Sequence, residues 1–161
     1  MKKILLSLIF VFVAAMAQAE PAGPFNWSSA YLRETPSKIA AAYVQIENST
    51  NADDALIGAS ANWAERIELH QIQTDENGVM KMLPIEKISL PKNGVAVLQQ
   101  GGYHLMIFGI KNKLNVDEKK DINLKFEKAG TVTIPFTVQP LSGNPQAFRD
   151  KLMMEHGHHG M

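Results

Sequence analysis

The sequence predicts an all-β domain, an antiparallel sandwich or barrel of Greek-key type. Eight short stretches after residue 40 are β-branched or alternate between apolar and polar residues, and each is bounded by Gly, Pro, Asn or Asp. No helical stretch separates them, so the strands must pair directly or through Greek-key crossovers and cannot wind into βαβ units. A chain of 161 residues has enough apolar surface for one core and too little for two.

Taken in order, the first nineteen residues, MKKILLSLIFVFVAAMAQA, place two lysines before an apolar run and end on Ala17-Gln18-Ala19. That is the pattern of a secretory signal peptide, and the run is too short and too early for a membrane span. Cleavage after Ala19 removes 19 of the 161 residues and leaves 142, expected in the periplasm and outside the membrane. Residues 20–38 are rich in Pro, Gly and Ser and read as an irregular lead-in with one strand at 30–33. The strands proper are AAYVQIEN (41–48), DALIGAS (54–60), ERIELHQIQ (65–73), VMKMLPI (79–85), GVAVLQQ (94–100), YHLMIFGI (103–110), DINLKFEK (121–128) and TVTIPFTVQ (131–139). They place the domain at 20–140. The tail, 141–161, follows a strand-breaking proline; 146–154 has the spacing for two helical turns with Phe148 and Leu152 on one side. Its last residues, EHGHHGM, have nothing to bury and are expected to be flexible.

Composition narrows the function. Setting aside Lys2 and Lys3 of the signal takes the 16 basic residues to 14, against 16 acidic ones, with no basic patch. Nucleic acid and anionic membrane are therefore poor partners. The absence of cysteine leaves no lipid-bearing cysteine after the signal, no thiol nucleophile and no thiolate for a blue-copper site. No paired-carboxylate motif, nucleophile elbow, phosphate loop or H-E-x-x-H occurs, so no enzyme is expected. Asp53, Asp54, Asp75 and Glu76 fall in turn-like surroundings and are expected to be solvated.

The histidines and methionines are confined to a few places. After the signal they are His70, His104, Met80, Met82 and Met106 in the strands and Met153, Met154, His156, His158, His159 and Met161 in the tail. Residues two apart in a strand share a face, so His104 and Met106 point one way and Tyr103, Leu105 and Ile107 the other. A lone His-x-Met is otherwise an ordinary half-buried histidine beside a gap-filling methionine. Here Met80 and Met82 repeat the spacing, and His70 lies across the Asn77-Gly78 turn. His70, Met82, His104 and Met106 form the candidate cluster, with Met80 in reserve. Thioethers are soft and uncharged, which suits Cu(I), whereas Mg²⁺ or Ca²⁺ would demand oxygens. The imidazoles of the tail favour Cu(II) or other borderline ions.

The hairpin sets a geometric condition. A two-residue Asn77-Gly78 turn makes paired positions sum to 155 and turns His70 away from Met82. A three-residue loop, Glu76-Asn77-Gly78 with Gly78 left-handed as a G1 bulge, makes them sum to 154 and puts both on one face. The cluster requires the odd loop.

The stretches ELHQ, GVMKMLP, GGYHLMIFGIKNKL and LKFEKAGTVTI resemble the periplasmic copper chaperones known as PCu(A)C, whose signature is a histidine, then a methionine, then His-x-Met. AYLRETP and AAYVQIEN extend the resemblance over about residues 30 to 140. It implies a cupredoxin-like β-sandwich holding Cu(I) by two His and two Met. It also implies delivery to the binuclear copper centre of a respiratory oxidase subunit, with a Sco-type thiol protein as a further partner. The tail MMEHGHHGM is similar to the His/Met-rich extension of many members, which binds Cu(II). A copper buffer or resistance protein would use the same site without an acceptor, and an interaction sandwich would carry the His and Met incidentally.

Overall fold

Alternation along each strand decides which side chains enter the core. In β8 (Tyr103–Phe108), Leu105 and Ile107 are fully buried, while Met106 and Phe108 on the opposite face are half-buried. This is one of ten strands in the computed structural model, which describes residues 23–141. The others are β1 (Phe25–Arg33), β2 (Ile39–Asn48), β3 (Asp54–Ser60), β4 (Arg66–Thr74), β5 (Met80–Pro84), β6 (Ile88–Leu90), β7 (Val95–Leu98), β9 (Lys119–Phe126) and β10 (Gly130–Gln139). Inward side chains such as Leu32, Ile46, Leu69, Leu105, Phe126 and Phe136 fill one continuous core. The expected signal, and the tail beyond Leu141, lie outside the described residues.

Pairings run β4–β8–β2–β1–β10–β9–β3, and Ala59↔Ile67 returns β3 to β4, so the sheet closes on itself as a barrel. Closure removes most exposed edges. β5 stands outside the ring, paired to the far end of β4, and all five of its residues are exposed. The all-β Greek-key expectation is met, with two departures from a purely antiparallel sheet: β1 runs parallel to β10, and Leu98 pairs in parallel with Tyr103.

Two elements exceed the expected ones. The lead-in strand reaches back to Phe25, which pairs with Asn48 of β2; an irregularity between Ser28 and Tyr31, with Ser29 at φ 53°, interrupts its alternation and hides this half from a period-two pattern. β6, three residues between prolines and lysines, forms because Asp54, Ala55 and Leu56 offer it an edge.

Asp54 is not the solvated residue its turn-like setting suggests. Its carboxylate accepts the backbone N–H groups of Ala55 at 2.7 Å, Lys128 at 3.0 Å and Ala129 at 2.9 Å, clasping β3 to the β9–β10 turn. Partial burial pushes this carboxyl up, but the three donors outweigh it and hold the group below the usual range. Asp54→Ala is expected to lower stability by about 2 kcal/mol, since hydrogen bonds to charged groups contribute roughly 1.5–3 kcal/mol. An unchanged urea midpoint would show that the clasp is idle.

Candidate metal centre

The β4–β5 hairpin has the odd loop. His70 pairs with Pro84, Ile72 with Met82 and Thr74 with Met80, so paired positions sum to 154. Asp75 N–H donates to the Val79 carbonyl and Gly78 N–H to the Asp75 carbonyl, both at 2.9 Å, with Gly78 at φ 79°. The Asp75 carboxylate stiffens the loop by accepting the N–H groups of Asn77 and Val79 at 3.0 Å and the Lys81 ammonium at 3.1 Å. The Val79 N–H and then Lys81 hold its carboxyl below the ordinary range. This acid too is structural. His70 and Met82 therefore share the outer face.

Across the barrel wall, β4 pairs with β8 so that His70 lies directly opposite His104. Their ring centroids are 5.7 Å apart. Both are buried, at 8% and 3% exposure, although they sit on the outer face. Tyr43 of β2, whose ring lies 6.4 Å from that of His104, shields the site on one flank, and Phe108, 6.3 Å from the His70 ring, on another.

Each imidazole has one nitrogen pinned and the other bare. His104 Nδ1 lies 3.1 Å from the Gly102 carbonyl, which can only accept, so Nδ1 carries the proton and Nε2 the lone pair. His70 Nε2 lies 2.9 Å from a Glu68 carboxylate oxygen, so there the neutral ring leaves Nδ1 bare. Nδ1 of His70 and Nε2 of His104 are buried and make no hydrogen bond among the described residues. An unpaired buried polar atom costs about 1–3 kcal/mol. Two such lone pairs on neighbouring rings are donors that a borderline or soft metal cation would satisfy.

The methionines flank this pair. Met106 lies opposite Glu68 on β4 and Ala41 on β2, half-buried beside the rings. Met82, opposite Ile72, sits at the other diagonal from His70. Diagonal cross-strand neighbours lie about 7–8 Å apart, within reach of long side chains. Met82 is 48% exposed and Met80, two residues farther out, 71% exposed. The face thus brings together His70, His104 and Met106, with Met82 on the projecting edge strand and Met80 beyond it. The tail residues Met153, Met154, His156, His158, His159 and Met161 lie outside the described residues. Among those described, no three His, Asp or Glu gather at one point. A cleft of about 600 Å³ between the 34–38 and 110–114 segments shares none of these residues.

Sequence reasoning passed over Glu68, Arg66, Phe108 and Tyr43. The signal for the first two was present in RIELH, where Arg66, Glu68 and His70 stand two apart on one face. For Phe108 and Tyr43 no local signal existed, because both reach the site through partner strands.

Burial holds the pKa of His104 below the ordinary imidazole value; the Gly102 carbonyl partly offsets this, and His70 adds to it. A group whose folded pKa is lowered this way favours folding least when protonated. The copper-free protein should keep full stability above about pH 6.5, the unfolded value, and lose it as pH falls from there through the folded value. Urea midpoints measured across pH 7 to 4 for wild type and His104→Phe check this. The wild-type curve should fall more steeply, and parallel curves would reject the buried neutral ring.

Relatives share this frame. The copper-bound PCuAC domain from PmoF2 superposes with TM-score 0.62 at 25% identity, over 74% of this chain and 95% of that one. DR1885 of Deinococcus radiodurans, in its copper(I) form, matches with TM-score 0.53 at 29% identity over 78% and 83%. The apo PCuAC domain from PmoF1, at 23% identity and TM-score 0.64, shares the fold. Among curated proteins, "Putative lipoprotein Lxx21020" of Leifsonia xyli subsp. xyli (strain CTCB07) is 26% identical over 137 residues, 84% of this chain and 82% of its own. The resemblance to PCu(A)C read from the sequence is met at the level of fold. The family model that the chain fits, described as "Putative lipoprotein LpqE-like", spans residues 26–138, nearly the whole barrel from β1 into β10, and the chain belongs to that LpqE-like family.

Proposed function

We propose that this protein is an exported copper carrier without catalytic activity, made with a signal peptide at 1–19 and working in the periplasm. Cu(I) is its cargo, held by His70, His104, Met106 and Met82. The carrying observation is the pair of facing imidazoles, each with one nitrogen pinned and the other buried and bare. Neutral imidazole and thioether together suit Cu(I), and neither sulfur must lose a proton to bind. The copper-bound relatives of the same fold support this reading.

Unequal exposure of the donors gives a way to let go. Met82, half exposed on an edge strand, yields first to an incoming ligand, while the buried histidines keep hold until the acceptor has a foothold. The acceptor is the oxidase subunit with the binuclear copper centre, or a Sco-type thiol protein. The tail, 141–161, adds a Cu(II) site from Met153, Met154, His156, His158, His159 and Met161.

Titration of the copper-free protein with Cu(I) against a chromophoric chelator tests the reading. One equivalent should be taken, with affinity falling on acidification as protons compete for the imidazoles. For His104 that competition sets in below the ordinary range. Affinity flat to pH 4 would overturn the ligand assignment.

A further inference from the structure

We propose that Glu68 is a positioning residue: it holds His70 in the Nε2-protonated tautomer, so that Nδ1 is the nitrogen offered to copper, and Arg66 on Phe108 holds Glu68 in turn. The proposal rests on the copper reading above and adds the means by which one of its ligands is aimed.

The ladder runs along one face of β4. Arg66 Nε donates to Glu68 Oε1 at 2.8 Å, and Glu68 Oε2 accepts from His70 Nε2 at 2.9 Å, so each carboxylate oxygen has one donor. The Arg66 guanidinium lies 4.0 Å over the ring of Phe108, its direct cross-strand partner. The carboxylate is thereby fixed at both oxygens and its arginine at the plane.

Stability does not explain the outer end of the ladder. Arg66 is 57% exposed and Glu68 37%, and ion pairs this exposed contribute little. Orientation does explain it. A neutral imidazole without an outer partner populates both tautomers and turns about its ring axis, so that the nitrogen carrying the lone pair is not fixed. Carboxylate partners of metal-binding histidines fix tautomer and ring orientation, and their loss weakens metal binding about 10–100-fold. The two histidines are thus aimed differently, His104 by a backbone carbonyl through Nδ1 and His70 by a carboxylate through Nε2.

Long-range ¹H–¹⁵N NMR of the copper-free, full-length protein at pH 7.5 reads the tautomer directly. Wild type should show His70 with Nε2 protonated and Nδ1 bare. Glu68→Ala should show a mixture of the two forms, with Cu(I) affinity lower by about 10–100-fold. Glu68→Gln, whose amide oxygen can still accept, should keep the tautomer and most of the affinity. Unchanged His70 nitrogen shifts in Glu68→Ala would overturn the proposal. So would a Glu68→Gln protein that keeps the tautomer yet binds as weakly as Glu68→Ala, since charge and not orientation would then be at work. The two readings fail separately: a wild type that takes no Cu(I) overturns the copper site, whereas wild-type binding left unchanged in Glu68→Ala overturns Glu68 alone.

Discussion

Replacing His104 with phenylalanine is expected to abolish competition for Cu(I) while leaving the copper-free protein as stable as before, or more so. The ring is 3% exposed with Nε2 unpaired, so wild type carries a desolvated acceptor that a phenyl ring removes. The Gly102 carbonyl, left by the imidazole, still accepts the Ile72 N–H at 3.2 Å. The gain is about 1 kcal/mol, the low end of the penalty for an unpaired buried polar atom. Affinity should fall at least a hundredfold, because even the outer partners of metal ligands are worth about 10–100-fold. Chelator competition and urea unfolding on one sample decide it. A variant that loses several kcal/mol while still binding Cu(I) would identify His104 as an ordinary core histidine.

Leu105→Ala should behave in the opposite sense. Leu105 is fully buried in the core, on the other face of β8 between His104 and Met106. Truncation leaves a cavity and should cost about 2–5 kcal/mol. The donors keep their places, so the folded fraction should hold Cu(I) within about tenfold of wild type. Copper at a thousand times its dissociation constant should return about 4 kcal/mol of the lost stability, by mass action on the native state. Thermal midpoints with and without Cu(I) measure both effects. No recovery with copper would mean that the site does not bind the native barrel.

These two residues are adjacent in sequence and opposite in role, which shows how much of the site was legible in advance. The period-two pattern assigns Leu105 to the core and His104 to the outer face without any tertiary knowledge. The hairpin was legible as well. Parity between His70 and Met82 admits only an odd loop if both are to face one way, and Asn77-Gly78 supplies the left-handed glycine for it. The burial of His104 was not legible, because an outer-face residue is shielded only by what partner strands bring over it, here Tyr43 and His70. Glu68 lay between these cases: its face was readable, its hydrogen bond was not.

In the fold, strands with strong alternation stand where the sequence puts them, and DALIGAS matches β3 at both ends. β6 and the first half of β1 escaped, one being three residues long and the other broken by an irregularity at Ser28. Both exist because a neighbour presents unpaired backbone groups, a long-range cause that leaves no local trace.

By itself, then, the chain determined its class, its single core, the absence of thiol chemistry and the faces on which histidine and methionine fall, since these follow from composition and a two-residue period. Only the closed barrel decided that His70 and His104, 34 positions apart, stand ring to ring, which nitrogen of each is left bare, and that Met82 remains on an open edge. Pairing partners are chosen by burial of the whole sheet, and that choice belongs to no segment alone.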